Sequence, residues 1–212
     1  MCGRFYIADE AEDELLHHLI SQLNRKQGSQ AVTKGEVHPA DHAMIIANSR
    51  QLTPSLFTMQ WGYTLDTGAR LINARSETAE AKRMFFDGFT RRRCLVPASG
   101  YYEWRKIGRE HQQYAIKPQR TSHCFFAGIY RFEQEKPVFT ILTREAAEGI
   151  RHIHDRMPVM LDDASARRWL NMHEPAGSIL KNAVLDTDIR LVAGTEPMFD
   201  PGQAGFAVIR EE

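Results

Sequence analysis

The middle of the sequence is a train of short apolar segments, 43–47, 56–63, 93–98, 101–105, 113–117, 124–130 and 138–143. Most are separated by turn residues and few by helical patterns. A parallel sheet needs a long crossover, usually a helix, between successive strands. Strands that follow strands therefore favour an α+β fold over a doubly wound one. The expected fold is a single domain with an antiparallel, barrel-like sheet at its core and helices flanking it. Leu15, Leu16, Leu19, Ile20 and Leu23 recur at helical spacing behind an acidic first turn and predict a helix over 10–24. Helical patterns recur over 77–86, 146–153, 164–171 and 178–185, whereas 27–41, punctuated by Gly28, Gly35 and Pro39, reads as loop. No linker or internal repeat divides the 212 residues, so one domain over 1–212 is expected.

Lys and Arg number 27 and Asp and Glu 27, a net charge of zero that argues against a basic coat for duplex nucleic acid. The charge is uneven, however. Residues 70–109 hold ten basic and four acidic groups, against five and eight in 1–69 and twelve and fifteen in 110–212. That cationic block carries Arg75, the run Arg91-Arg92-Arg93 and Glu103. No apolar stretch approaches a membrane span, and the acidic residues over 9–14 do not suit a leader peptide, so a cytoplasmic protein is expected. Three cysteines without CxxC spacing give neither a disulfide framework nor a cysteine zinc site. Cys94 and Cys124, in apolar runs, read as buried, inert thiols. The pairs His38/His42 and His152/His154 have no third ligand placed by spacing, so neither a metal nor a cofactor is expected.

Cys2 carries the most specific chemistry. Its small side chain permits removal of Met1, which exposes an amine and a thiol on adjacent carbons. An α-amino group of pKa about 7.7–8.0 is partly neutral at cellular pH, so it can attack an aldehyde to give a Schiff base. The thiol can then close that Schiff base into a thiazolidine ring. The plain alternative is a frayed terminus. Over 100–105, strand alternation puts Tyr101, Glu103 and Arg105 on one face and Tyr102 and Trp104 on the other. Glu103 is then either a general acid or base among aromatic rings or one half of a cross-strand salt bridge. His154 is either a proton donor or a solvated histidine. Asp155 is not expected to orient it, because adjacent side chains of an extended segment diverge. Asn73 either orients a substrate oxygen or sits in a turn, and Arg75 either takes a phosphate or lies at the surface. Trp61 either stacks on a base or belongs to the core.

Taken in order, these segments resemble the SRAP family. Met1 to Arg4, Trp61-Gly62, Asn73 to Glu77, Arg93 to Ala98 followed by Gly100 to Trp104, Phe126 to Ile129 and His154 to Val159 match its motifs, from residue 1 to about Trp169. The resemblance implies an α+β, barrel-like domain that captures abasic sites in single-stranded DNA covalently. It implies that Cys2 is the nucleophile once Met1 is lost, that Glu103 moves protons and assists release, that His154 donates to the sugar oxygen, and that Asn73 positions the N-terminus. It further implies that Arg4, Arg75 and Arg156 hold phosphates and that Pro39 and Trp61 pack against bases, with Trp104 and Thr143 also in the DNA-binding set. The expected partner is single-stranded DNA containing an abasic site, bound by a monomer away from any membrane. Gly35-Glu36-Val37-His38-Pro39 and Tyr63-Thr64-Leu65 depart from the family pattern and leave the strand path around Pro39 open. Two other readings use the same residues: a Cys2-dependent thiol peptidase or amidohydrolase limited to self-processing, and a noncovalent single-strand binder built on the Arg and Trp side chains.

Overall fold

The computed structural model describes residues 2–8, 13–25, 30–108 and 110–192. In chain order these form β1 (Arg4–Ile7), α1 (Glu14–Asn24), β2 (Gly35–Val37), β3 (His42–Asn48), β4 (Pro54–Trp61), β5 (Tyr63–Thr64), β6 (Arg70–Leu71) and β7 (Asn73–Arg75). There follow α2 (Arg83–Arg91), β8 (Arg93–Ala98), β9 (Gly100–Ile107), β10 (Glu110–Pro118), β11 (Cys124–Glu133) and β12 (Lys136–Glu145). The described chain ends with α3 (Glu148–Arg151), β13 (Arg156–Pro158), β14 (Met160–Leu161), α4 (Asp163–Leu170), α5 (Ala176–Lys181) and β15 (Thr187–Leu191).

β3, β4, β12, β11 and β8 pair in that order, and β8 returns to β3, closing a five-stranded barrel. Closure leaves no open edge around the ring. The fold is thus α+β and barrel-like, as the sequence predicts, with the pairing antiparallel except along one edge of β12. There β4 pairs in parallel at Gln60 and Trp61, the chain leaves through the β5–β6 hairpin, and β7 rejoins the same edge with Asn73 opposite Ile141. A second, open sheet runs β15-β10-β9-β1-β2. It continues from the barrel through Ser99, whose N–H donates to the Tyr6 carbonyl at 2.9 Å and whose hydroxyl accepts from Ala8 N–H at 2.9 Å.

β8 is buried at every position, as a strand covered on both faces must be. Its Cys94, Val96 and Ala98 join Phe5, Trp61, Phe126 and Phe139 in one core cluster, which also takes Leu16, Ile20 and Leu23 of α1. Leu95 joins a second cluster with Phe89 of α2, Ile129, Trp169 of α4 and Ile179 of α5. α1 starts at Glu14 because Asp13 caps it, accepting from Leu16 N–H at 2.9 Å. Residues 10–12 of the expected helix lie outside the described residues. Two expectations are corrected. Within 27–41, Gly35–Val37 is a strand that pairs with β1, Gly35 entering it at φ +84°. Residues 77–81 are turns, closed by Ala79 N–H on the Arg75 carbonyl and by Ala81 and Lys82 N–H on the Thr78 carbonyl, and the helix begins only at Arg83.

Gly100 sits where the two sheets meet and β1 crosses β9. A Cβ there would lie 2.5 Å from the Ile116 carbonyl oxygen and 2.6 Å from the Tyr6 hydroxyl, so backbone must move to admit it. Gly100→Ala is expected to cost about 1–3 kcal/mol in urea unfolding; an unchanged midpoint would show that β9 and β10 separate freely.

Candidate functional site

Cys2 precedes β1 and is fully buried. Its place follows from β1, which is held by β2 on one side and β9 on the other and whose Phe5 ring lies 5.2 Å from Trp61 and 5.9 Å from Phe126. The Asn73 side-chain amide donates to the Cys2 carbonyl at 2.9 Å. Asn73 opens β7, and the residue before it is fixed by the Trp61 indole, whose N–H donates to the Ile72 carbonyl at 2.9 Å. Glu103 is 3% exposed on β9. As alternation predicts, Tyr101 shares its burial while Tyr102 and Trp104 are partly exposed. The Glu103 carboxylate is near enough to act electrostatically on both the Cys2 thiol and the His154 imidazole. His154 lies between α3 and β13, its N–H bonded to the Ile150 carbonyl at 3.1 Å. Cys2, Asn73, Glu103 and His154, scattered over the sequence, are therefore neighbours in space.

Burial pushes the Cys2 thiol far up, and the Glu103 charge adds to the shift. Burial alone does the same to Cys94 and Cys124. Burial also lowers His154, with Glu103 opposing it. At neutral pH the thiol keeps its proton and the imidazole is mostly neutral. The His154 Nδ1 accepts from Arg156 N–H at 3.0 Å and lies 2.8 Å from Asp155 Oδ1. Asp155 thus does reach the ring, contrary to expectation, because the chain bends there instead of running extended.

The expected DNA contacts fare unevenly. Arg4 is paired with Glu36 at 3.1 Å and its guanidinium lies 4.9 Å from the Trp104 ring centre. Arg75 ends β7 exposed. Trp61 is fully buried against Phe5 and Phe139 and offers no face to a base; its part is to hold Ile72 and so Asn73. Pro39 is buried as well, beside the Ala40 N–H that donates to the Trp61 carbonyl at 2.9 Å. Thr143 is fully buried, and Arg156, 8% exposed, spends its guanidinium on Glu77 and the Thr143 carbonyl. The run Arg91-Arg92-Arg93, which shares the cationic block of sequence with Glu103, lies apart from it in space. With Arg50, Leu52 and Phe132 it lines a cleft of about 460 Å³ at the end of β8 away from Ser99 and β9. The length of β8, about 17 Å at ~3.3 Å per residue, lies between.

Glu36, Glu77 and Asp155 are the site residues that sequence reasoning missed as partners. Glu77 stands within the matched Asn73–Glu77 motif, but nothing in the sequence joins it to Arg156. Among the described residues no group of three or more His, Cys, Asp or Glu side chains is arranged to hold a metal ion, and no helix is long and apolar enough to cross a membrane.

A buried cysteine at the start of the chain, ringed by an amide, a carboxylate and an imidazole against a closed barrel, defines the class of protein. The family model described as SOS response associated peptidase (SRAP) matches residues 1–191, and the chain belongs to that family. It is 32% identical over 189 residues to "Abasic site processing protein YoqW" of Bacillus subtilis, covering 81% of this chain and 80% of that protein. It is 31% identical over 178 residues to "Abasic site processing protein YedK" of Escherichia coli, covering 80% and 79%. Among solved structures, a phage-related protein from Bordetella bronchiseptica superposes with a TM-score of 0.71 at 26% identity, covering 91% of this chain and 95% of that one. A protein from Bacteroides thetaiotaomicron shares the fold at a TM-score of 0.69 and 20% identity, covering 90% and 92%.

The raised thiols set a test. In the folded protein all three cysteines should react with a disulfide reagent at pH 8 at least about tenfold more slowly than after unfolding. A raised folded pKa means the folded state holds protons that the unfolded state releases, so stability is full below the unfolded thiol value, about 8.5, and falls as pH rises above it. Rapid labelling of any one thiol in the native state would show that it is not enclosed as described.

Proposed function

We propose that this protein processes abasic sites in single-stranded DNA by forming a thiazolidine crosslink through Cys2 after Met1 is removed. The observation that carries the reading is the Asn73 amide bonded to the Cys2 carbonyl at 2.9 Å, which holds the chain's first reactive residue against Glu103 and His154. Membership of the SRAP family and the names of the relatives support it.

The chemistry follows from the protonation states. An aldehyde forms when the abasic sugar opens: the protonated fraction of His154 gives a proton to the ring oxygen as its bond to C1 breaks, and the C1 hydroxyl yields its own proton to water as the carbonyl forms. The exposed α-amine adds to the aldehyde carbon, and loss of water leaves a Schiff base. The thiol sulfur then bonds to the same carbon, its proton leaves by way of Glu103, and the imine nitrogen is protonated to complete the ring. Release runs this sequence backwards. The buried, protonated thiol suits the second position, because an amine needs only to be neutral to attack first. The same burial weighs against the peptidase reading, in which Cys2 must attack a carbonyl as the first step, with its own amine or His154 as the base that takes the thiol proton.

Incubation with single-stranded DNA carrying one abasic site should give an adduct that survives denaturation, from a protein whose intact mass lacks Met1. Cys2→Ala should give none, and Glu103→Ala should slow capture or release by about 10²-fold with the fold intact. An adduct undiminished in Cys2→Ala, or retention of Met1 in the crosslinked protein, overturns the mechanism. Salt-sensitive binding that ignores Cys2 would instead identify a noncovalent binder.

A further inference from the structure

Arg156 begins β13 and is buried to 8% exposure, yet its charge is well met. Nη1 donates to Glu77 Oε1 at 3.0 Å, and Nη2 donates to Glu77 Oε2 at 2.8 Å and to the Thr143 carbonyl at 2.9 Å. This is a two-pronged pair, which fixes direction as well as distance. Burial raises Glu77, but the Arg156 hydrogen bonds and charge, together with backbone hydrogen bonds, outweigh it and hold the carboxyl below the usual range, so the pair is ionised at neutral pH. The backbone of Arg156 is fixed by the same region, opposite Glu145 of β12. The N–H so placed meets His154 Nδ1 at 3.0 Å.

A backbone N–H can only donate. The Nδ1 that receives it must therefore offer a lone pair, and the single proton of a neutral imidazole must sit on Nε2. Asp155 Oδ1, 2.8 Å from the same Nδ1, makes the opposite demand, because a carboxylate oxygen attracts that nitrogen only when it bears a proton. The two partners differ in freedom. The Arg156 N–H is locked by sheet and ion pair, whereas the Asp155 side chain is 84% exposed and can turn to water.

We propose that Glu77 and Arg156 are positioning residues that hold neutral His154 with its proton on Nε2, and that Asp155 is the partner that takes Nδ1 when the ring becomes protonated. The proposal rests on the proposed function for its purpose, since a ring held this way keeps Nε2–H as its donor toward a substrate. The imidazole would then alternate between a fixed donor contact and a mobile acceptor contact as it gains and loses a proton. Burial and the terminal amine disfavour the protonated ring, Glu103 and Asp155 favour it, and the Arg156 guanidinium is paired with Glu77.

Nitrogen-15 NMR of the histidine rings in the full chain, between about pH 5 and 9, reads the tautomer directly without DNA. In the native protein His154 should show a proton on Nε2 and a bare Nδ1 at neutral pH. In Glu77→Gln, which loses the ionic clamp, an Nδ1–H population of about a tenth or more should appear, and abasic-site crosslinking should slow about tenfold, mainly in its maximal rate. Asp155→Asn, an exposed change that spares the fold, should leave the neutral tautomer unchanged and shift the His154 titration and the acid limb of the crosslinking profile to lower pH. A native His154 protonated on Nδ1 when neutral, a tautomer unaltered in Glu77→Gln, or a titration unmoved in Asp155→Asn overturns the proposal. If the native protein forms no crosslink while the tautomer pattern is as stated, it is the functional reading that fails and not the positioning.

Discussion

Everything at the candidate site depends on Phe5. A chain terminus is ordinarily the least fixed part of a domain, yet here the fourth to seventh residues form a strand inside a sheet, and the Phe5 ring is enclosed between Trp61 and Phe126 in the core. Full burial of an aromatic side chain is worth roughly 1.5–3 kcal/mol, enough to hold the three residues before it near one place. Cys2 is thereby brought to the barrel wall, where a single amide from Asn73 meets its carbonyl. Trp61 serves the same end twice, once against Phe5 and once through the bond to Ile72 that sets where β7 begins. The tryptophan is thus part of the site's frame without being part of its surface.

The enclosure that places Cys2 also decides its chemistry. A cysteine activated as a thiolate needs cationic or dipolar support and some access to water. Cys2 is fully buried, and the largest charge effect on it is that of the Glu103 carboxylate, which favours the protonated thiol and exceeds the opposing effect of the terminal amine. Such a group is a poor thiolate nucleophile and a suitable second partner in a ring closure, where an adjacent carboxylate can receive its proton. The same carboxylate sustains protonation of His154 against burial. On the proposed reading, one acidic residue between a thiol and an imidazole can take a proton from the first and favour protonation of the second, offsetting part of what burial does to the imidazole.

Much of this was legible in the sequence, and what was not has physical reasons. The barrel strands were readable because each carries an apolar segment of at least five residues bounded by turn signals; β8 matches its expected span of 93–98 throughout. The short strands β2, β7, β13 and β14, two or three residues each, exist only because a longer neighbour supplies their hydrogen bonds, and no local pattern marks them. The four residues at the centre of the site were each weak signals, and their order along the chain, matched to a family, was what joined them. Orientation was harder. Trp61, Pro39 and Thr143 were expected to face a ligand, but whether a side chain points inward depends on how the barrel closes through β4, β12 and β11, contacts between segments nearly eighty residues apart. The Arg91-Arg92-Arg93 run shows the same limit: it shares a cationic block of sequence with Glu103, but β8 carries the chain the length of the barrel between them.

The pairing of the cations bears on how such a site can hold DNA. Arg4 already has Glu36, and Arg156 already has Glu77. A phosphate that takes either guanidinium must displace a carboxylate, so its gain is the difference between two charge-assisted contacts and not the whole of one. Counterion release, which gives ordinary DNA-binding proteins most of their affinity, is correspondingly reduced for these groups. With a net charge of zero over the whole chain, little remains for long-range attraction to make up the shortfall. Paired cations still discriminate: a ligand that takes Arg156 has to replace both oxygens of Glu77, whereas one that takes Arg4 has to replace a single oxygen of Glu36. On the proposed reading, selection and retention are therefore separate: the pre-paired arginines admit a backbone of the right shape without gripping undamaged strands, and the bond to Cys2 retains only the strand that brings an aldehyde.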